Sequence, residues 1–168
     1  MSNLEITSYD LSDLKFAIVD NNDFSRKLIT NILRTFNIRN IYGWNHADAI
    51  SGLTQHSPEI LICDCGFPSN AGLKLVRYIR QPDSPLNSSI AVIMTSSLAT
   101  AARISQARGA GIDQYLVKPL SPTLVYQNIV RCIESSRPIV RIPDYSGPNR
   151  RTIKSCAKPS IQEERRKG

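Results

Sequence analysis

The chain has 168 residues, 41% of them hydrophobic, and a formal net charge of +7 at neutral pH. This length supports one domain of ordinary size plus a shorter appended segment, and no apolar run approaches the ~20 residues that a membrane-spanning helix requires. The start lacks the basic flank and apolar centre of a secretory signal, and the four cysteines follow no disulfide spacing, so we expect a cytoplasmic protein.

The positive charge is concentrated towards the end of the chain. Residues 137–168 hold nine Lys and Arg against three Asp and Glu, whereas residues 1–136 hold twelve against eleven. The segment is polar and its first half is rich in proline, so we predict a basic tail that is extended or disordered. One interpretation is that the tail docks to an acidic partner, a nucleic acid or a membrane surface. The other, which we favour, is a solvated tail without a binding role.

Apolar runs and helical periodicities alternate along residues 15–136, after a polar leader over residues 1–14. Each apolar run precedes an amphipathic helix, and the first helix is capped by Asn22 or Asp23. Five strand–helix units in this order predict an α/β domain with a parallel sheet covered on both faces, of the flavodoxin-like, doubly wound (βα)5 kind. The predicted strands lie at residues 16–19, 40–44, 60–63, 90–94 and 114–117.

Polar side chains follow four of the predicted strands at the point where each strand ends. They are Asp20 and Asn21 after the first strand, Asp64 after the third, Thr95 after the fourth and Lys118 after the fifth. In a doubly wound sheet, these ends converge on one crevice. Carboxylates suit Mg²⁺, and an ammonium group attracts phosphate oxygens. The sequence therefore predicts a site for a hard cation together with a phosphoryl group.

Four motifs at these strand ends carry a resemblance to a known family. They are Val19-Asp20-Asn21-Asn22 with Arg26, Ile62-Cys63-Asp64 with Pro68 and Gly72, Met94-Thr95-Ser96, and Tyr115-Leu116-Val117-Lys118-Pro119. In this order and spacing, they resemble the receiver domain of bacterial two-component response regulators over roughly residues 15–136. The basic tail is similar to that of stand-alone receivers of alphaproteobacteria. The resemblance implies a chemotaxis-regulator-like, single-domain response regulator and not an enzyme, beyond slow self-dephosphorylation.

The resemblance also implies a phosphoryl acceptor and a metal site. Asp64 matches the aspartate that takes a phosphoryl group from a histidine kinase or a histidine phosphotransfer protein. Asp20, Asp64 and the backbone carbonyl of Gly66 match the ligands of Mg²⁺. Asn21 stands where most receivers carry a second acidic residue, and that position often holds Mg²⁺ through a water. Since Asn lacks the negative charge, we predict a weakened metal affinity and not the loss of the site.

Three further residues match the side chains that contact the phosphoryl group or move in response to it. Lys118 matches the lysine that pairs with its oxygens, Thr95 the hydroxyl residue drawn in on phosphorylation, and Tyr115 the aromatic ring that moves with it. The Lys118–Pro119 bond is expected to be cis, as is usual in the family. The expected output is a change in contacts with a target protein that the sequence does not identify, and a homodimer is one assembly that the resemblance allows.

Two other functions stay open at this point. The first is a receiver-like binding module that works without phosphorylation, which only Asn21 supports. The second is a nucleic-acid-binding protein driven by the basic tail, which we do not expect because the tail contains no helix-turn-helix and no metal-binding finger. The remaining chemistry-bearing side chains are interpreted as structural. We expect His46 and His56 at surface positions, Cys63 in the core and Cys65 in a loop.

Overall fold

A computed structural model describes residues 9–135 and the strand backbones of residues 139–142 and 145–148. Residues 9–135 contain five strands that alternate with five helices, as predicted. The strands are β1 (Lys15–Val19), β2 (Asn40–Trp44), β3 (Ile60–Asp64), β4 (Ala91–Ser96) and β5 (Gln114–Val117). The helices are α1 (Asp23–Thr35), α2 (Ala49–His56), α3 (Ala71–Ile79), α4 (Ala101–Ala110) and α5 (Pro122–Glu134).

The five strands form one parallel sheet in the order β2-β1-β3-β4-β5. This is the doubly wound arrangement expected from the sequence, and that prediction is confirmed. The direction of winding reverses between β1 and β3, the point at which open α/β sheets bind ligands. The register sets which residues meet there, because Val19 pairs with Trp44 and Cys63, and Asp64 pairs with Thr95. The carboxyl ends of these strands therefore share one edge.

The sheet is buried on both faces, which explains why its strands are continuous apolar runs. Alternate strand residues enter two separate hydrophobic clusters. Ala17, Leu61 and Met94 belong to one cluster, whereas Ile18 and the other side chains that point the opposite way belong to the second. Cys63 lies in the first cluster and is fully buried, as the sequence predicts. Helices pack over both faces and hold the site edge in place.

The first helix begins at the edge that carries the polar strand ends. Asn22 is its N-cap, and the side chain of Asn22 accepts a hydrogen bond from the Ser25 backbone N–H at 3.1 Å. This satisfies one of the amides that the first turn leaves without an intrahelical partner. Of the two cap residues that the sequence allows, Asn22 is therefore the one used.

The described part of the leader packs against the domain. Leu11 is buried, and the hydroxyl of Tyr9 donates to a carboxylate oxygen of Glu134 in α5 at 2.9 Å. The rest of the predicted leader, residues 1–8, lies outside the described residues. Among the residues that the structure describes, no helix has the length and apolar composition needed to cross a membrane.

Part of the segment predicted to be an extended or disordered tail forms regular structure. Strands β6 (Ile139–Ile142) and β7 (Tyr145–Pro148) pair in antiparallel fashion, with Ile142 opposite Tyr145. Here the structure differs from the prediction. The β-branched residues before the intervening Pro-Asp pair favour a strand that leads into a turn, and the proline content of the segment conceals this signal. The other residues of 137–168 lie outside the described part of the chain.

Candidate functional site

Three ionisable side chains meet at the carboxyl edge of the sheet. The ammonium of Lys118, which follows β5, donates to Asp64 Oδ1 at 2.7 Å and to Asp20 Oδ2 at 3.0 Å. The Asp20 side chain is 5% exposed, and those of Asp64 and Lys118 are 20% and 24% exposed. Because β1 and β3 are neighbours, the two carboxylates face each other and share one cation.

The charges of Asp20 and Lys118 are maintained by their mutual contacts. Burial opposes the ionisation of Asp20, but hydrogen bonds from the Ser25 hydroxyl, the Asn22 N–H and Lys118 hold the pKa of this carboxyl below its ordinary 3.8. Burial likewise opposes the ionisation of Lys118, yet its bonds to Asp64 and Asp20 raise its pKa. Both groups are therefore charged at neutral pH.

The hydroxyl of Ser25 also belongs to this cluster, although the sequence pattern does not single it out. Its Oγ lies 3.3 Å from Lys118 Nζ and bonds to Asp20. Within an amphipathic helix, a serine is normally interpreted as a solvent-facing residue. The signal that could have identified it is its place in the first turn of α1, the helix that begins at the site edge.

Thr95 is placed beside Asp64 by the pairing of β3 with β4. The residue is fully buried, and its hydroxyl oxygen is one of the few buried side-chain atoms of the described residues without a hydrogen-bond partner. A buried polar group without a partner destabilises a fold. The structure therefore keeps a hydroxyl next to Asp64 that no group of the described residues satisfies.

Gly66 contacts Asp64 through its N–H and not through its carbonyl. The N–H donates to Asp64 Oδ2 at 2.8 Å. The carbonyl, which the resemblance implies as a metal ligand, accepts from the Asn70 N–H at 2.7 Å and from the Ser69 hydroxyl at 2.9 Å. Both bonds belong to the turn that leads into α3. The role of the Gly66 carbonyl as a ligand stays a prediction, and it requires this turn to change.

Asn21 and His46 form a second polar contact beside the charged cluster. The side-chain oxygen of Asn21 accepts from the backbone N–H of His46 at 2.9 Å and lies 3.0 Å from its Nδ1. The other ring nitrogen, Nε2, is 3.0 Å from the backbone carbonyl oxygen of Asp64. His46 is half-buried, so it keeps a surface position while its ring faces the site edge. It follows the end of β2, the one strand end at which the sequence analysis names no candidate site residue.

The other histidine is part of the packing on the edge strand. His56 stacks on Tyr42 with ring centroids 4.1 Å apart, and the ring of Trp44 lies 5.6 Å from that of His56. Trp44 in turn packs against the core. None of these three rings touches the charged cluster through a contact found among the described residues.

Tyr115 lies on β5, which β4 separates from the strand that carries Asp64. Its hydroxyl donates to the backbone carbonyl of Leu98 at 2.6 Å, in the segment between β4 and α4. It therefore contacts the segment that follows Thr95 and not the charged cluster itself. The Lys118–Pro119 peptide bond is cis, as the resemblance implies.

The two carboxylates of the charged cluster have the chemistry of a Mg²⁺ site. Asp20 and Asp64 offer the oxygen ligands that Mg²⁺ prefers, and both lie within 3.0 Å of Lys118 Nζ, so the two carboxylates stand close to each other. Among the described residues, no group of three or more His, Cys, Asp and Glu is arranged to hold a metal ion. The site thus fits a Mg²⁺ ion that is held by two carboxylates and retains several waters.

Comparison with known proteins identifies the family. The sequence matches the response regulator receiver domain over residues 16–130. The chain belongs to this family. The chemotaxis protein CheY of Pseudomonas aeruginosa is 30% identical over 127 residues, which are 72% of this chain and 97% of CheY. The polar-differentiation response regulator DivK of Brucella anthropi is 24% identical over 104 residues, 62% of this chain and 83% of DivK.

Solved receiver structures share the fold. The receiver domain of merR from Colwellia psychrerythraea has a TM-score of 0.64 at 22% identity, and the likeness covers 73% of this chain and 100% of that one. CheY of Borrelia burgdorferi, solved in complex with CheX, BeF3 and Mg²⁺, has a TM-score of 0.63 at 21% identity over 71% and 89% of the two chains. The receiver assignment that rests on the four motifs is therefore confirmed.

Proposed function

We propose that this receiver is a phosphoryl-accepting switch of two-component signalling, with Asp64 as the acceptor. The observation that supports this proposal most directly is the shared cation, because Lys118 contacts both Asp64 and Asp20 within 3.0 Å. The N–H of Gly66 holds the second oxygen of Asp64 and so orients the carboxylate. The donor is the phosphohistidine of a kinase or of a phosphotransfer protein, as the membership of the family suggests.

The transfer is a displacement at phosphorus. An oxygen of the Asp64 carboxylate attacks, an O–P bond forms and the P–N bond to the donor imidazole breaks, with the nitrogen leaving with the bonding electron pair. Such a reaction needs mainly positioning and charge neutralisation from the protein. Lys118 supplies one positive charge to the phosphoryl oxygens. Asp20 and Asp64 would hold Mg²⁺, which would supply further positive charge to the transferred group.

The phosphoryl group would then redistribute the contacts around Asp64. It carries about −2 charge in place of the single negative charge of the carboxylate and brings three acceptor oxygens, and the Thr95 hydroxyl gains a partner. Movement of Thr95 would loosen the segment after β4, where Tyr115 is bonded to Leu98. A small local shift of this kind biases a bistable surface.

The surface next to Tyr115 has the character of a target-binding face. Leu98 is 40% exposed, Val117 41% and Leu124 43%, although all three are large apolar side chains. They belong to the segment after β4, to β5 and to α5. A change in the position of Tyr115 would alter this apolar surface, and through it the affinity for a target protein.

Incubation with Mg²⁺ and acetyl phosphate, followed by intact mass measurement, tests the proposal. We expect the wild-type chain to gain one phosphoryl group and Asp64→Asn to gain none. Asp48→Asn is the matched control, because Asp48 is an exposed aspartate at the start of α2. A gain that persists in Asp64→Asn, or the absence of a gain in the wild type at high Mg²⁺, would contradict the proposal and favour a phosphorylation-independent binding module.

A further inference from the structure

The contact between His46 and Asn21 bears on how the site binds a cation. His46 lies in the segment after β2. It contacts the side chain of Asn21, which follows β1, and the backbone of Asp64 at the end of β3. Its backbone N–H and Nδ1 lie within 3.0 Å of the Asn21 side-chain oxygen, and its Nε2 lies 3.0 Å from the Asp64 carbonyl oxygen. One residue thus braces the Asn21 side chain against the backbone of the acceptor.

The orientation of the Asn21 amide follows from the backbone contact. A backbone N–H only donates, so the Asn21 atom that faces it is the carbonyl oxygen, whichever ring nitrogen of His46 carries a proton. An amide oxygen has two lone pairs: the backbone N–H of His46 occupies one, and the ring occupies the other in the tautomer that carries the proton on Nδ1. The remaining Asn21 group is an NH₂, which donates hydrogen bonds and does not bind cations.

We infer that His46 is a positioning residue that withholds the Asn21 oxygen from the Mg²⁺ site. This inference rests on the cation site of the proposed function. Within the described part of the chain, Asp20 and Asp64 are then the two side chains that hold the ion, and the ion makes no use of Asn21, even through a water. The low affinity expected of this receiver comes from the engagement of Asn21 as well as from its missing charge.

Mg²⁺ titrations of four proteins test this inference. They are the wild type, His46→Ala, Asn21→Ala and the double variant, followed by calorimetry and by the emission of Trp44, the single tryptophan of the chain. Trp44 is a local probe because its carbonyl accepts the Asp20 N–H at 3.1 Å. His46→Ala keeps the backbone N–H but loses the ring contacts with the Asn21 oxygen and with the Asp64 carbonyl. One lone pair of the Asn21 oxygen is then free and the segment is no longer held against Asp64, so we expect this variant to bind Mg²⁺ about 3- to 10-fold more tightly. Asn21→Ala should bind as the wild type does.

The double variant separates positioning from a direct effect of the ring. We expect the gain of His46→Ala to disappear in it, because no amide oxygen is then present to be released. His46→Gln should restore wild-type affinity, since its side-chain amide can donate to the Asp64 carbonyl. His56→Ala is the matched control, because this histidine stacks on Tyr42 away from the cluster, and calorimetry should show wild-type affinity.

The outcomes distinguish this inference from the proposed function. Unchanged or weaker Mg²⁺ binding by His46→Ala, or a gain that survives in the double variant, overturns the inference and leaves the proposed function intact. The absence of Mg²⁺ binding in every variant, the wild type included, overturns both. Tighter binding that depends on Asn21 supports both.

Discussion

The ammonium of Lys118 lies 3.0 Å from the carboxylate of Asp20, the most deeply buried acidic side chain of the charged cluster. The pair is reinforced by the Ser25 hydroxyl and the Asn22 N–H, which both bond to Asp20. A buried carboxylate that is held in its charged form contributes to stability in a way that depends on pH. The contribution of Asp20 to the free energy of unfolding can be measured by removing the charge of its side chain.

Asp20→Asn should therefore alter the acid dependence of the free energy of unfolding. The pKa of Asp20 in the folded chain lies below its ordinary 3.8, so its contribution is fully present above that value. The contribution is lost as the pH falls through the lower pKa of the folded state. Urea unfolding in a chelator-containing buffer should show the difference between wild type and variant shrinking as the pH falls from about 5 to about 3. A difference that is independent of pH would contradict this, and Asp48→Asn is the control.

Thr95→Val should stabilise the unmodified chain while it impairs the switch. The substitution replaces a buried hydroxyl that has no partner by a methyl group of similar shape. Removal of this unsatisfied group should raise the free energy of unfolding by about 0.5–1 kcal/mol, as measured by urea unfolding. In the phosphorylated chain, the response of Tyr115 should be lost, because no hydroxyl remains to bind the phosphoryl group.

The neighbouring hydroxyl provides the control for Thr95. Ser96 is also buried, but its oxygen accepts from the Leu98 N–H at 3.1 Å. Ser96→Ala leaves that N–H without a partner and should cost about 1 kcal/mol. If Thr95→Val destabilises the chain as much as Ser96→Ala does, the Thr95 hydroxyl has a partner and the prediction is wrong.

The sequence was sufficient for those parts of the site that depend on topology alone. Asp20, Asp64, Thr95 and Lys118 follow apolar runs, and the carboxyl ends of parallel strands must meet at one edge. The position of a loop side chain has no such rule. His46 stands two residues beyond the end of β2, and only the folded path of that segment turns its ring towards Asp64.

The sequence pattern also does not locate side chains and carbonyls that reach the site from a helix or a turn. Ser25 has the spacing of a solvent-facing helical residue, and only the entry angle of α1 brings its hydroxyl to Lys118. The turn that engages the Gly66 carbonyl has a positive φ of 73° at this residue. Glycine permits this conformation, but the presence of a glycine does not by itself show that the chain adopts it. Pattern and spacing therefore predict which strand ends meet, whereas local backbone geometry decides which neighbouring groups join them.

Gly72→Ala should damage both the fold and the site. A Cβ at this position would lie 1.9 Å from the backbone oxygen of Asp64, so β3 and α3 would have to separate. We expect a loss of about 3 kcal/mol, measured by urea unfolding, together with slower phosphorylation. Gly109→Ala in α4 is the matched control, because an added Cβ there meets nothing within 4 Å. It should stabilise the chain by about 0.5–1 kcal/mol, and a comparable loss at both glycines would contradict the prediction.

Arg80 is a buried cation at the opposite edge of the sheet. Its side chain is 1% exposed, and its guanidinium donates to the backbone carbonyls of Gly111 at 3.1 Å and Ile90 at 2.8 Å and to that of Ser88. It also pairs with Asp113 at 3.4 Å. These contacts tie the end of α3 to the segments that enter β4 and β5. The sequence suggests only that Arg80 ends a helix.

Arg80→Met should therefore be among the most destabilising single substitutions in this receiver. It leaves the Asp113 carboxylate without its buried cation and removes the donor from three backbone carbonyls, so the free energy of unfolding should fall by about 3–5 kcal/mol. Arg77→Met is the control on the same helix, because Arg77 is exposed, and its effect should stay within about 0.5 kcal/mol. Urea unfolding of the two variants compares them directly. Equal effects would mean that the Arg80 contacts contribute no more than the aliphatic part of an exposed arginine does.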